Sequence, residues 1–263
     1  MPSRIRGKGA LLAPLFVCLV LLVAGCTARA DCRLPENAGR AATVAEVIDG
    51  DTIRLTNGRH VRFIGLNTPE RARDDRPAQP LAEEATDMLR RLLAGASLRL
   101  VVGQDPTDHY GRLLAHPFLA DGSNVTARLL EAGLGFQVVF PPNLRFADCY
   151  RQAEARARAA GRGVWGEPAF RPVPAARLTP RDTGFRRVTG TVTRVGESRT
   201  AFWLNLGPGF ALRLPKKDRH GFSRDPRAFE GHALTVRGWI YYVQKRRELR
   251  MTLRHPLMIE SLD

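Results

Sequence analysis

Cysteine is scarce in this chain: there are four in 263 residues. None forms a CxxC pair, and the six histidines fall at no ligand spacing, so the usual sequence grounds for a zinc site are absent. No GxSxG turn and no Walker-type glycine loop occurs, which removes a serine-hydrolase elbow and a P-loop from consideration. Acidic side chains are in short supply as well, 26 against 41 Lys and Arg, for a net charge of +15. Such an excess suits a polyanion. Nucleic acid fits because each Lys or Arg that neutralises a phosphate releases a condensed counterion, and anionic lipid head groups are the alternative.

The apolar run Ala10 to Ala24 carries no charge, follows Arg4, Arg6 and Lys8, and falls short of the roughly 20 residues that span a bilayer. It reads as a secretory leader over residues 1–25. Its end, Val23-Ala24-Gly25-Cys26, resembles a bacterial lipobox, which implies a lipid on Cys26 and an exported, membrane-anchored protein. Thr27 after that cysteine implies the outer membrane. A cut after Ala30, giving a soluble secreted chain, is the competing reading. Cys32 and Cys149 then remain, and in an oxidising compartment they are expected to pair, with two buried free thiols as the alternative.

After an N-terminal arm at 26–42, short strand-like stretches joined by tight turns begin at Thr43: TVAEVI, TIRL and RHVRFIGLN. A helix is expected through LAEEATDMLRRLLAG, with Leu81, Ala85, Met88, Leu89 and Leu92 at helical spacing and Gly95 as its stop. Strands return at LRLVV and GRLLAHPFLA. A second helix follows the N-cap Asn124, which is read as a cap rather than a glycosylation acceptor, and a third runs from about Phe146 to Gly161. These elements predict an α+β domain on a five-stranded OB-type barrel with three helices, at 43–166. The proline-spaced segment 167–184 reads as a linker, and 185–263 as a second, mostly β, OB-like barrel.

Four blocks occur in order within Thr43 to Gly166: VIDGDTIRL, VRFIGLNTPE, DHYGRLLAHPFLADG and AEARARAAGRGVW. Together they resemble the staphylococcal nuclease (thermonuclease) family. The resemblance implies a Ca²⁺-dependent phosphodiesterase that hydrolyses DNA and RNA with little sequence preference and leaves 3′-phosphate ends. It also implies roles for particular residues. Glu70 would be the general base, and Arg62 and Arg112 would grip the phosphate through their planar, always-charged forks. Asp51 and the Thr68 carbonyl would hold Ca²⁺, with Asp49 an accessory acid. Asn67 stands where the family pattern has aspartate, so one ligand charge is missing. Tyr110 and His109 would face substrate phosphate, His109 replacing a lysine, and Phe140 would stack on a base or belong to the core.

In the second domain, alternation puts Leu234, Val236 and Ile240 inward, and Arg237, Trp239 and Tyr241 outward together with Trp203. That outward set is expected either to bind nucleic acid or to pack the barrel against the first domain. No protein partner is expected. Two other readings compete with the enzyme: a non-catalytic nucleic-acid-binding envelope lipoprotein, and a lipoprotein whose charge serves anionic lipids alone.

Overall fold

The computed structural model describes Met1, residues 32–73 and residues 76–263. The expected leader, Cys26 and the alternative cut at Ala30 lie outside the described residues.

The first sheet is built from β1 (Arg40–Ala42), β2 (Val44–Asp49), β3 (Thr52–Leu55) and β4 (His60–Phe63), with β5 (Leu66–Asn67) leaving it, and from β6 (Leu98–Thr107) and β7 (Leu113–Leu119). A short β8 (Phe136–Gln137) pairs with β5. The six-stranded order is β1-β6-β7-β4-β3-β2, with β4 and β7 parallel. β1 and β2 sit at opposite ends of that order, yet only Thr43 separates them in the chain. The sheet must therefore curl back on itself, leaving one enclosed face for apolar side chains. That face carries Ile53, Val61, Phe63 and Phe118, all 2% exposed or less.

Three helices cover it. α1 (Ala82–Leu93) buries Ala82, Ala85, Thr86, Leu89 and Leu93, the three- and four-residue spacing of one helical face. α2 (Val125–Glu131) is capped by Asn124, whose Oδ1 accepts from the Ala127 amide at 3.0 Å. The same Asn124 donates through Nδ2 to the Tyr150 hydroxyl, so its amide is buried on both sides. α3 (Ala147–Ala159) carries Cys149, disulfide-bonded to Cys32 with the Cα atoms 5.4 Å apart. The bridge fastens the N-terminal arm across 117 residues of sequence, a large loop to close in the unfolded chain.

The second sheet contains β9 (Val173–Pro174), β10 (Gly184–Thr191), β11 (Arg194–Glu197), β12 (Ala201–Asn205), β13 (Phe210–Pro215), β14 (Ala233–Val243), β15 (Glu248–Thr252) and β16 (Ile259–Leu262). Its order is β11-β12-β13-β15-β14-β10-β9, with β16 beside β14 and with β13 and β15 parallel. β10 and β11 follow each other closely in the chain but lie far apart in the order, so this sheet curls as the first one does. The two domains share a connectivity: a broken first strand, two more antiparallel strands, and a parallel third-to-fifth pairing. Leu204, Leu212, Leu214, Val236 and Met251, each wholly buried, fill the second core.

The segment expected as a linker is held in place. β9 pairs in parallel with β10, and Ala175 is buried in the second core. Prolines there suit a strand that needs few amide donors. Of the two roles expected for the outward set, Arg237 takes the packing one. It faces outward from its own sheet, as the alternation requires, and α3 covers that face, so Arg237 is 5% exposed rather than open to nucleic acid. Its Nη1 and Nη2 donate to the two Glu154 oxygens at 2.7 and 2.6 Å, and Glu154 Oε1 also accepts from the Gln137 amide at 2.6 Å. Nearby, Arg187 pairs with Glu260 and donates to the Phe170 carbonyl. Removing one member of a buried pair strands the other charge, so Glu154→Ala should cost about 3 to 5 kcal/mol in thermal or denaturant unfolding. A loss under about 1 kcal/mol would mean that the pair is solvated.

Candidate active site

The tight turn between β2 and β3 puts two carboxylates side by side. Asp49 is 8% and Asp51 5% exposed, and the Asp51 amide donates to Asp49 Oδ1 at 3.1 Å. Gly50 between them is required by packing, since a Cβ there would come within 2.7 Å of the Ala85 Cβ and 2.8 Å of Thr68 Cγ2. The turn is thus pressed against α1 and against the end of β5. Asp51 Oδ2 accepts from the amide and hydroxyl of Thr68 at 2.9 and 3.1 Å, and Oδ1 accepts from the Thr52 hydroxyl at 3.0 Å.

Arg62, on β4, enters the same cluster. Its Nη2 donates to Asn67 Oδ1 at 3.2 Å, while Nη1 lies 2.5 Å from Asp51 Oδ1 without hydrogen-bond alignment, a charge contact rather than a directed bond. Burial, with the neighbouring Asp51 charge next, pushes the Asp49 carboxyl up to about 7. A buried carboxylate pair under that strain fits a hard divalent cation, which would be offered Asp51, the Asn67 amide oxygen and the Thr68 carbonyl. Among the described residues no group of three or more His, Cys, Asp or Glu stands ready for a metal. A cation bound here would need amide and backbone oxygen as well as carboxylate.

Glu70 closes the strand-turn that follows Thr68-Pro69. Its side chain is exposed, while its backbone is clamped: the amide donates to Gln79 Oε1 and the carbonyl accepts from the Gln79 amide, both at 2.9 Å. The Glu70 carboxylate thus faces water from a fixed backbone.

Arg112 precedes β7. In the parallel pairing Arg62 lies opposite Leu114, and Arg112 sits in the loop two residues ahead of Leu114. Asp108 holds Arg112: Oδ2 accepts from Nε at 2.7 Å, and Oδ1 accepts from the Arg112 and Tyr110 amides, each at 3.0 Å. Partial burial opposes charge on Asp108, but these bonds outweigh it and keep its carboxyl below the usual range. Gly111, at φ +78°, makes the bend that allows this cradle. Asp108 is a site residue that motif reading missed. The signal available was its place four residues before Arg112 in DHYGR, where a short acid can accept backbone amides.

Tyr110 is 73% exposed, with the His109 ring 3.8 Å away and Arg112 Cζ 5.3 Å from its ring. Phe140 is 44% exposed and so does not belong to the core; it leans on Trp239 of the second domain, with ring centroids 5.5 Å apart. A cavity of about 280 Å³ opens between the domains beside Asn67, Thr68 and Pro69, walled by Phe136, Phe170 and Phe185. The structure thus joins Asp49, Asp51, Arg62, Asn67 and Thr68 in one cluster, and sets Arg112 and Tyr110 on an adjoining loop. Trp203 lies farther out, its Nε1 donating to the Ser198 hydroxyl.

Comparison with known proteins bears on this arrangement. Residues 60–167 match the family described as "Staphylococcal nuclease homologue", a span that holds Arg62, Asn67, Glu70 and Arg112, with Asp49 and Asp51 just ahead of it. The chain is 32% identical to the thermonuclease of Staphylococcus intermedius over 130 residues, 48% of this chain and 77% of that protein. The thermonuclease of Staphylococcus hyicus is 32% identical over 125 residues, 46% of this chain and 73% of its own length. "Endonuclease YncB" of Bacillus subtilis (strain 168) is 33% identical over 133 residues, 49% and 63% of the two chains. With this identity sustained over three quarters of two thermonucleases, the chain belongs to the staphylococcal nuclease family.

Proposed function

We propose that the protein is an exported, Ca²⁺-dependent nuclease that hydrolyses phosphodiester bonds of DNA and RNA with little sequence preference, leaving 3′-phosphate ends. Relatives named thermonuclease and endonuclease support nuclease activity. The observation that carries the reading is the contact of Arg62 with Asp51 and Asn67 beside the β2–β3 turn, together with the hold of Asp108 on Arg112 in the loop before β7.

Asp51, Asn67 and the Thr68 carbonyl would hold Ca²⁺, which when bound would supply positive charge to the phosphate oxygens and ease loss of a proton from water. Glu70 takes the proton as the water oxygen bonds to phosphorus. Arg62 and Arg112 donate to the non-bridging oxygens, where negative charge grows in the five-coordinate transition state. The P–O5′ bond then breaks, and the 5′ oxygen leaves with a proton from solvent. Asp108 keeps the Arg112 fork aimed throughout. The binding protein without catalysis is the other reading, and retention of Arg62, Glu70 and Arg112 together argues against it.

Export and a lipid on Cys26 are part of the proposal, supported by the charged-then-apolar N-terminus and by the Cys32–Cys149 bridge, which suits an oxidising compartment. Incubation of the purified mature protein with DNA and RNA tests the reading: both should be cut, with phosphate on the 3′ end. Binding without cutting would support the non-catalytic alternative.

Asn67 allows a finer test. Supplying the missing charge with Asn67→Asp should tighten Ca²⁺ binding by about one to two decades, measured by calorimetry. Unchanged or weaker binding would remove Asn67 from the ligand set.

A further inference from the structure

Among the described residues, four Phe, Tyr or Trp side chains are exposed: Tyr110 at 73%, Phe140 at 44%, Tyr241 at 40% and Trp239 at 36%. They are not scattered. Tyr110 flanks Arg112, and the loop bearing Phe140 is tied to β6 just before that segment, Asn143 exchanging two 2.9 Å hydrogen bonds with the Asp105 backbone. Phe140 leans on Trp239, and Tyr241 follows two residues later on the same face of β14. Along that face exposure grows with distance from the junction, from buried Arg237 to Trp239 to Tyr241.

The aromatic line is continued by arginine. Tyr241 lies opposite Arg250 on β15, whose Nε pairs with Glu248 and whose Cζ stands 4.3 Å from the centre of the Trp203 ring. Trp203 in turn lies opposite Arg213 on β13. One sheet face thus carries rings and guanidinium groups together, from the Phe140 contact at Trp239 across to Trp203 and Arg213. The family match stops at residue 167, so apart from Phe140 these residues lie outside it.

We propose that this face is a track for single-stranded nucleic acid leading to or from the active site, an inference that rests on the nuclease reading. Bases stack on Phe140, Trp239 and Tyr241, while phosphates meet Arg250 and Arg213. Rings with an open face recognise any base, and guanidinium recognises any phosphate, so the track has little sequence preference. It favours single strands because a duplex keeps its base faces stacked inside. Residues two apart on a strand are about 6.8 Å apart, which leaves each ring room for its own base.

The test uses the full mature chain carrying Glu70→Gln, so that the strand is not consumed, and reads affinity by anisotropy for a labelled single strand of about 15 nucleotides and for a duplex of that length. Tyr241→Ser should weaken single-strand binding about tenfold and duplex binding much less, and Tyr241→Phe should restore it. Arg250→Gln or Arg213→Gln should each flatten the salt dependence of single-strand binding by about 0.7 in the log–log slope. Single-strand affinity unchanged by Tyr241→Ser, or equal losses for strand and duplex, would overturn the track. Because binding is read in a non-cutting background, such a failure leaves the hydrolysis reading standing, whereas a wild-type chain that binds but never cuts removes the nuclease reading on which the track rests.

Discussion

Glu70→Gln is expected to lower kcat for DNA hydrolysis by about 10² to 10⁴, with binding of the strand retained. Glutamine keeps the length and polarity of the side chain but cannot accept the water proton as the new P–O bond forms. The clamp between Glu70 and Gln79 uses only backbone atoms of Glu70, so the substitution leaves the loop anchored. The loss should therefore fall on kcat rather than on KM or thermal stability, and steady-state kinetics beside a melting curve separates the two. An equal loss of stability would assign Glu70 to the fold instead.

Arg112→Ala should cost about 10² to 10³ in kcat, the usual consequence of removing one donor aimed at transition-state charge. The side chain is already positioned, gripped by Asp108 through Nε, so its terminal nitrogens approach substrate with little ordering left to do. Two further substitutions check that account. Arg112→Lys should recover little, because an ammonium cannot keep the Asp108 bond and still present a fork. Asp108→Ala should lower kcat less than Arg112→Ala does, since it frees the guanidinium without removing it. If Asp108→Ala exceeded Arg112→Ala, the carboxylate itself would have to touch the reaction.

Much of this site is visible in sequence because the chemistry is carried by contiguous blocks. DGDT brings Asp49 and Asp51 into one turn, and RFIGLNTPE carries Arg62 on β4, Asn67 on β5 and Glu70 just beyond it. What sequence conceals is the coupling between blocks. That Arg62 bridges Asp51 and Asn67 depends on a sheet pairing and a packed glycine at position 50, neither of which leaves a local signature. Asp108 was hidden for a different reason: an acid before a glycine bend reads as turn chemistry until its partner Arg112 is seen.

The second domain shows the limits of alternation. Period two correctly divides β14 into Leu234, Val236 and Ile240 on one side and Arg237, Trp239 and Tyr241 on the other. It cannot say that α3 lies over Arg237, because that depends on how two separately patterned cores dock. The proline-spaced segment was opaque likewise: it has no amphipathic period, and its order comes from the β9–β10 pairing and from Ala175 entering the second core.

The most direct measurement of the central claim is cleavage of single-stranded DNA by the full mature chain in Ca²⁺ and, in parallel, in EDTA, with binding followed in the same samples. The account predicts 3′-phosphate fragments with Ca²⁺, and a bound, intact strand without it. Cutting at the same rate in EDTA, or binding with no cutting in Ca²⁺, would contradict it.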